Sequence, residues 1–346
     1  MLAMAPVIQT FLGSLDRFNS LFSSGITTLP KNVVAIGWSA RERSWFCAPE
    51  RVIENAAFKH RVPATLQFLS DYVLPRLADQ SFWLLLCFYD GWRERMLYSP
   101  NYLWQHPGDL KQSQEWQGEP GSIPILSSTR RWIACYGAHH DDPSAVLLPE
   151  AHYLIQNQYG PLFATIRTGA CPWSNKAAEA IYCGGDHGEI FNYFPPLIPE
   201  RPHPRRYLAL LAQESDLPIH VHLGGRISQQ EQMRYKYIMD IDGYARTWDA
   251  WAWKMSSGSA VLSVASPWTS FFTQLFEAWT HYIPIANDYS DLAEKLKWCR
   301  NNDATCQQIA TQAQQRAREV YKPDFVARLT ARQLRKLLTV QRVPKV

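Results

Sequence analysis

Residues 235–262 read YKYIMDIDGYARTWDAWAWKMSSGSAVL, and this stretch decides the fold class. An apolar run over residues 237–241 predicts a short strand that ends at an Asp-Gly turn, residues 242–243. Residues 247–255 predict a helix, and the small and β-branched residues 259–264 predict another strand. In open parallel sheets nucleotides and phosphates bind at such turns, because backbone N–H groups and the positive end of a helix dipole point there.

The same alternation of strands and turns runs through the rest of the chain. Residues 180–183 and 219–223 are short apolar runs that each lead into glycines, and residues 82–89 form a continuous apolar run that ends at Asp90. Strands that alternate with helices are typical of a doubly wound parallel sheet. A chain of 346 residues is long enough for two domains at about 100–200 residues each. The sequence therefore predicts a two-domain α/β protein.

An ordered series of short motifs extends beyond this stretch. Its members are Tyr235-Lys236-Tyr237, Asp242-Gly243, Ala245, Thr247-Trp248, Ser257-Gly258-Ser259, Ser266-Pro267-Trp268, Phe271-Phe272, Trp279, His281-Tyr282-Ile283-Pro284, Asp288, Asp291-Leu292, Trp298 and Asn302-Asp303. This series resembles glycosyltransferase family 90, which includes Rumi-type protein O-glucosyltransferases, capsule-associated xylosyltransferases and lipopolysaccharide-core transferases. The resemblance covers residues 172–317 well and the first half of the chain weakly.

The resemblance implies a GT-B-like fold, with two facing Rossmann-like domains, a cleft between them and a C-terminal crossing helix. We expect residues 1–165 to form an acceptor-side domain that carries the base, and residues 166–322 to bind the nucleotide sugar. Residues 323–346 would form a basic helix that packs back on the first domain. The implied reaction is an inverting, metal-independent transfer of glucose, xylose or a similar sugar from a UDP-sugar to a hydroxyl of a glycan or protein. No cofactor is expected besides this donor substrate.

Asp90 is the predicted catalytic residue. A carboxylate directly after a buried strand stands at the carboxyl edge of a sheet, where ligands bind in α/β folds. In the family an aspartate at the end of a similar strand is the general base, and Asp90 falls at that place. The resemblance also implies the donor-binding residues Arg61, Gly184, Asp242, Gly243, Tyr244, Ala245, Arg246, Thr247, Trp248 and Asp249. His187 is a further candidate, because its glycine-rich loop follows a predicted strand on the donor side.

The chain departs from the family at two arginines expected near the donor phosphates. Cys183 and Asp249 stand in their places. Arg246, Arg205 or Arg206 would have to supply the positive charge by another route. An alternative therefore stays open, in which the protein is a degenerate member that binds nucleotide or glycan without turnover.

Asp240 and Asp242 form an Asp-x-Asp pair, which another class of glycosyltransferases uses to hold a divalent metal. Alternation within a strand puts both carboxylates on one face, so that joint chelation is geometrically allowed. A single Asp-x-Asp is a weak motif, and we expect no metal site. A metal-dependent transferase that uses this pair remains a third alternative.

Composition limits the partners. A net charge of +4 is too small for a dedicated nucleic-acid binder. The seven cysteines form no C-x-x-C pair, so we expect reduced, buried thiols.

No apolar segment has the length of a membrane span, and the N-terminus lacks the pattern of a signal peptide, so we expect a cytoplasmic protein. After Pro323 the chain gathers basic residues, among them Arg328, Arg332, Arg335 and Lys336. We expect this basic face to meet an anionic membrane surface or an acidic glycan, and the alternative is a solvated face that keeps the helix soluble.

Overall fold

A computed structural model describes residues 9–26, 29, 33–50, 56–77, 79–91, 133–140, 142–143, 145–186, 204–225, 227–243 and 245–338. The chain divides into two compact units. One comprises Met1–Ile155 together with Pro323–Val346, and the other comprises Gln156–Lys322. Both are built from strands and helices, so the predicted α/β class is confirmed.

The strands and helices of the described residues are as follows. The strands are β1 (Thr10–Leu12), β2 (Val33–Ser39), β3 (Ser44–Ala48), β4 (Phe82–Cys87), β5 (Ile133–Cys135), β6 (Gly137–His139), β7 (Ala145–Leu147), β8 (Ala177–Gly184), β9 (Ile219–Leu223), β10 (Tyr235–Asp240), β11 (Ala260–Val264), β12 (Trp268–Ser270) and β13 (Ile283–Ile285). The helices are α1 (Leu15–Phe22), α2 (Ala56–Phe68), α3 (Ala151–Ile155), α4 (Gly160–Thr168), α5 (Pro204–Glu214), α6 (Gln229–Gln232), α7 (Ala250–Ser256), α8 (Leu292–Asn301), α9 (Asp303–Val320) and α10 (Pro323–Leu338).

The first unit contains a mixed sheet of order β1-β3-β2-β4-β5-β7. β2 runs antiparallel to both of its neighbours, while β4, β5 and β7 are parallel. Only residues 40–43 connect β2 to β3, and a connection that short allows antiparallel pairing alone. β4 is buried along its whole length, as its continuous apolar sequence predicts.

The second unit contains a sheet of order β13-β11-β10-β8-β9, in which every pair is parallel. This is the arrangement predicted from the alternating strands and helices. β10 lies in the middle, covered on one face by a core that includes Leu262, Ile285 and Leu296. The other face packs against Ile166 of α4 and Trp253 of α7. Both faces are therefore buried, and ligands have access to this sheet at its edges.

The boundary between the units lies at residues 155/156, ahead of the predicted 165/166. The reason is the packing of α4, whose Leu162 and Ile166 join Met233, Ile238 and Trp253 in the core of the second unit. Apolar side chains that share a core are buried together, so the helix belongs with that unit.

α10 belongs to the first unit, where it packs against β4, β7 and the helical turn that follows α2. Its side chains Val326, Ala327, Thr330, Ala331 and Leu334 are buried. A salt bridge fixes the start of α10, because Nη2 of Arg76 lies 2.6 Å from Oδ1 of Asp324. The expected inward position of Leu334 is confirmed, while Leu329 is half-buried and the side chains of residues 337 and 338 lie outside the described set.

The seven cysteines are free thiols, and five of them, Cys47, Cys87, Cys135, Cys299 and Cys306, are buried. Burial raises the pKa of the Cys47 thiol to about 12, which keeps this side chain protonated and unreactive. Among the described residues, no helix combines the length and apolar composition needed to cross a membrane.

Candidate functional site

The carboxyl edge of the second unit's sheet carries the predicted Asp-Gly turn. β10 lies between β8 and β11 in a parallel sheet, so the three strands end at the same edge. Asp240 closes β10, and Asp242 and Gly243 follow it. Each of the two aspartates is only 4% exposed. Two buried carboxylates need cations or hydrogen-bond donors close by, and the loop and helix after β10 supply them.

Asp240 lies between two cations. Its Oδ1 atom is 2.8 Å from Nζ of Lys254, and its Oδ2 atom is 2.6 Å from Nη2 of Arg246. Arg246 belongs to the loop after β10, and Lys254 belongs to α7. The same Nη2 atom donates a hydrogen bond of 2.6 Å to Oγ of Ser263 in β11. The Asp240 carboxylate thus links β10 to the loop and to α7, and Arg246 extends the link to β11.

Asp242 contacts the same guanidinium. Nε of Arg246 lies 2.7 Å from Oδ1 of Asp242, and the Ser266 hydroxyl donates to Oδ2. The planar fork of an arginine can bind two carboxylates at once. The guanidinium also lies over the ring of Trp251, with its Cζ atom 5.0 Å from the ring centroid. We call Asp240, Asp242, Arg246 and Lys254 the ion cluster.

The charges in the ion cluster change the acidity of Asp240. Burial alone raises the pKa of this carboxyl, because a charge in a low-dielectric interior is poorly solvated. The positive charges of Lys254 and Arg246 and their hydrogen bonds outweigh burial, and the pKa of Asp240 falls to about 2. Asp240 is therefore ionised at neutral pH. Together with the ion pair of Asp242 and Arg246, the cluster pairs two carboxylates with two cations.

The Asp-x-Asp pair consequently binds cations that belong to the protein. Three of its four carboxylate oxygens face Lys254 or Arg246, and the fourth accepts the Ser266 hydroxyl. A divalent ion would have to displace one of these groups. Within the part of the chain that the structure describes, no group of three or more His, Cys, Asp or Glu side chains is arranged to hold a metal.

Arg205, in the first turn of α5, joins the ends of β8 and β10. Its guanidinium donates to the carbonyl oxygens of Asp242 at 3.0 Å, Gly185 at 3.1 Å and Ile241 at 3.3 Å. Backbone carbonyls at strand ends otherwise turn to water. Arg205 thereby brings a positive charge to the carboxyl edge of the sheet, next to the Asp-Gly turn.

Two glycines at this edge allow close packing. A Cβ atom on Gly243 would lie 3.2 Å from Nη2 of Arg205, and one on Gly184 would lie 2.5 Å from the hydroxyl of Tyr182. The lack of a side chain at Gly243 leaves room for the Arg205 guanidinium, and the lack of one at Gly184 leaves room for the Tyr182 hydroxyl. Substitution at either position would push one of these polar groups out of its place.

The loop between the turn and α7 contains both buried and exposed residues. Ala245 and Thr247 are buried, whereas Trp248 is 49% exposed. The Thr247 hydroxyl has no hydrogen-bond partner among the described residues. Asp249 directly precedes α7. The predicted helix over residues 247–255 therefore begins later, and its first three positions extend the loop.

The structure brings most of the predicted donor-binding residues of the second unit to one sheet edge. Two of them, His187 and Tyr244, lie outside the described residues. Arg61, the remaining predicted donor-binding residue, belongs to the first unit.

Asp90 lies where the sequence predicts it, three residues beyond the buried strand β4. Its Oδ1 atom is 2.7 Å from Nη2 of Arg61, which reaches it from α2. Nη1 of Arg61 donates to the carbonyl of Phe88 at 3.2 Å, so the guanidinium braces the strand end as well as the carboxylate. The Asp90 side chain is 27% exposed, which leaves it accessible to a ligand.

Two contacts of these sites are absent from the sequence-based prediction. One is the pairing of Arg61 with Asp90, and the other is the participation of Lys254 in the ion cluster. A signal for the second exists in the sequence, since Lys254 is a lone charge within the apolar segment 251–255. Lysine is almost never fully buried without a partner of opposite charge. A lysine within an apolar helix that is buried therefore predicts a carboxylate nearby.

Comparison with known proteins identifies the family. The sequence profile described as "Glycosyl transferase family 90" matches residues 168–341, which is half of the chain and includes the ion cluster. The chain belongs to this family. The resemblance noted from the motifs is thereby confirmed.

Individual relatives match the chain over only part of their own length. The chain is 27% identical to human protein O-glucosyltransferase 3 over 227 residues, which are 60% of this chain and 40% of that protein. It is 29% identical to uncharacterized protein 179R of Invertebrate iridescent virus 6, over 41% of this chain and 15% of that protein. The chain thus spans well under half the length of these relatives. Among solved structures, Anabaena HepE in complex with UDP aligns with 13% identity and a TM-score of 0.36 over 70% of each chain, too distant a likeness to bear on the assignment.

The ion cluster generates a prediction about acid stability. The folded-state pKa of Asp240 is about 2 and the unfolded value is about 3.9. The ionised carboxylate therefore stabilises the fold fully above pH ~4, and this contribution is lost as pH falls toward 2. Asp240→Asn leaves Lys254 without its anion and leaves Arg246 with Asp242 alone, so it should lower the free energy of unfolding by about 3–5 kcal/mol at pH 7.

Urea denaturation at several pH values checks this expectation, with the exposed Asp216→Asn as a control. The difference between Asp240→Asn and the wild-type protein should shrink below pH ~4, while the control stays within about 0.5 kcal/mol throughout. A difference that persists unchanged at pH ~2.5 would show that the carboxylate charge is not the source of stability.

Proposed function

We propose that this protein is an inverting glycosyltransferase that transfers glucose, xylose or a similar sugar from a UDP-sugar to a hydroxyl of a glycan or protein. The observation that carries the proposal is the family match over residues 168–341, which contains the Asp-Gly turn at the edge of the parallel sheet. The name of the human relative, a protein O-glucosyltransferase, supports glucose as the sugar and a protein hydroxyl as the acceptor.

The donor side is proposed to lie at the carboxyl edge of the second unit's sheet. Ligands of α/β sheets bind at this edge. Trp248 offers a half-exposed ring on which a base or sugar can stack. The buried Thr247 hydroxyl offers a hydrogen bond. Arg205 at the strand ends and Arg246 in the ion cluster carry positive charge at this edge, in place of the two family arginines that this chain lacks.

The catalytic step is proposed to use Asp90 as general base. Asp90 accepts the proton of the acceptor hydroxyl while that oxygen forms a bond to the anomeric carbon of the sugar. The bond from this carbon to the diphosphate breaks, and UDP leaves with the bonding electrons from the opposite face, so the configuration inverts. Arg61, 2.7 Å from the carboxylate, holds Asp90 in its orientation. A positioned base typically contributes about 10²–10⁴-fold.

The leaving diphosphate is proposed to be stabilised by protein groups and not by a divalent metal. Support comes from the Asp-x-Asp carboxylates, whose oxygens contact Lys254, Arg246 and Ser266. Preorganised cations and N–H groups can stabilise developing charge without reorganisation.

A second candidate function is nucleotide or glycan binding without turnover. The observation that favours it is the presence of Cys183 and Asp249 where the family carries arginines. The loss of a phosphate-facing cation weakens stabilisation of the leaving group. UDP binding without product formation from any UDP-sugar would identify this second function.

Metal independence predicts how UDP binds. In calorimetric titrations, UDP should bind with the same affinity in EDTA as with added Mg²⁺ or Mn²⁺, because the cations that face the diphosphate are side chains. Binding that vanishes in EDTA and returns with Mn²⁺ would favour the alternative in which Asp240 and Asp242 chelate a metal.

The base assignment predicts a separation of binding from chemistry. Asp90→Asn should lower the rate of transfer about 10²–10⁴-fold, while donor affinity stays within a few-fold, because Asp90 acts on the acceptor proton. Asp71→Asn, an exposed aspartate of the same unit, should leave both unchanged. Transfer by Asp90→Asn within a few-fold of wild type would remove Asp90 from the mechanism.

The basic face of α10 is proposed to meet an anionic membrane surface, where the enzyme would find a lipid-linked acceptor. Arg328, Arg332 and Lys336 are exposed along this helix. Replacing these three by Gln should weaken binding to anionic vesicles about a hundredfold, since each basic residue near such a surface contributes about 1 kcal/mol. Truncation of α10 is unsuitable as a test, because it would expose the core of the first unit.

A control of equal charge is Lys297, Arg318 and Lys322 replaced by Gln, which are exposed positions of the second unit. Vesicle flotation at low and moderate salt compares the three proteins. Equal flotation of both triple variants, or none by the wild-type protein, would contradict a membrane role for α10.

A further inference from the structure

Lys254 is an unusual residue for its position. It lies in α7 between Trp253 and Met255, and it is only 4% exposed. Burying a lysine costs side-chain entropy and desolvation, and a buried ion pair is often no more stable than apolar side chains of the same volume. Fold stability therefore explains poorly why a lysine occupies this buried position. Its positive charge needs a further explanation.

The contacts of Lys254 show what its charge does. Its Nζ atom lies 2.8 Å from Oδ1 of Asp240, and the other oxygen of Asp240 lies 2.6 Å from Arg246. Arg246 also contacts Asp242 at 2.7 Å. The two carboxylates are thus balanced by two cations. Without Lys254, a single guanidinium would face two buried carboxylates, and the ion cluster would carry a net charge of −1.

The net charge of the ion cluster matters because two of its members belong to the turn and loop that follow β10. Asp242 is part of the Asp-Gly turn, and Arg246 is part of the loop between the turn and α7. A buried negative charge acts strongly on a nearby anion, since the protein interior screens it less than water does. A diphosphate at this edge would be repelled by an unbalanced cluster.

We propose that Lys254 is a positioning residue for donor binding, which neutralises Asp240 and thereby leaves Arg246 and the loop able to receive an anionic diphosphate. This inference rests on the proposed donor site at the same sheet edge. It adds a residue that does not touch the donor but sets the charge of the groups that do.

The test is UDP binding, measured by calorimetry, in the wild-type protein and three variants. Lys254→Met should weaken UDP binding about tenfold, as expected for one unbalanced charge nearby. Lys254→Arg restores the positive charge beside Asp240 and should bind within about threefold of wild type. The double variant Asp240→Asn/Lys254→Met removes both charges and should also recover to within about threefold, because the cluster is balanced again.

A matched control is Lys176→Met. Lys176 is another buried lysine of the second unit, 5% exposed, and its Nζ donates to the Met233 carbonyl at 2.5 Å and the Ser259 hydroxyl at 2.9 Å. Its loss should lower the melting temperature and leave UDP affinity unchanged. The control separates a general effect of removing a buried lysine from the effect on the ion cluster.

The outcomes distinguish this inference from the proposed function. A wild-type protein that binds no UDP contradicts the donor site itself. A wild-type protein that binds UDP, with Lys254→Met binding equally well, overturns the role of Lys254 alone. A double variant that binds as weakly as Lys254→Met, or more weakly, shows a purely structural role. If Lys254→Met does not fold, as judged by circular dichroism, the double variant and Lys254→Arg decide: recovery in both supports the proposal, and loss in either overturns it.

Discussion

The second unit depends on the carboxylate of Asp240 and the two cations that bind it. Asp240 ends the central strand, Arg246 comes from the loop and Lys254 from the next helix, and all three are largely buried. A buried charge without its partner is costly, so removing one of the three leaves the charge of another poorly compensated. Because Arg246 also reaches Asp242 and Ser263, the turn and the neighbouring strand are fixed by the same contacts. The edge at which a ligand of this sheet would bind is thus shaped by one electrostatic arrangement.

This arrangement changes what the Asp-x-Asp pattern means. Asp242 lies two residues beyond the end of β10, and the Arg246 guanidinium contacts the carboxylates of both Asp240 and Asp242. The pattern alone does not determine which cation binds there. A metal ion and a guanidinium both satisfy two carboxylates, and the choice follows from residues that are distant in the sequence or lie on another element. Here Lys254, fourteen positions after Asp240, supplies the second positive charge.

The sequence predicts the elements of this unit better than their side-chain contacts. The strand over residues 219–223 has the predicted bounds, and β10 and β11 differ from prediction by a few residues at their ends, because local apolar pattern determines burial. The helix α7 begins at Ala250, later than predicted, since Thr247 is buried in the loop and not on a helical face. The contact of Arg61 with Asp90 joins a helix to a strand end within the first unit, and no local pattern encodes such a pairing.

The charge near the proposed donor site depends on several side chains of the second unit. The resemblance to the family implies arginines at the positions of Cys183 and Asp249, while Arg205 binds three carbonyls at the ends of β8 and β10 and Arg246 contacts two carboxylates. Arg205 brings its charge to the strand ends without neutralising a carboxylate through these three contacts. Arg246 is neutralised unless another cation shares its carboxylates, and Lys254 is that cation. Positive charge at this edge is therefore a property of the whole set of side chains, and substitution of a residue that never meets the ligand can change it.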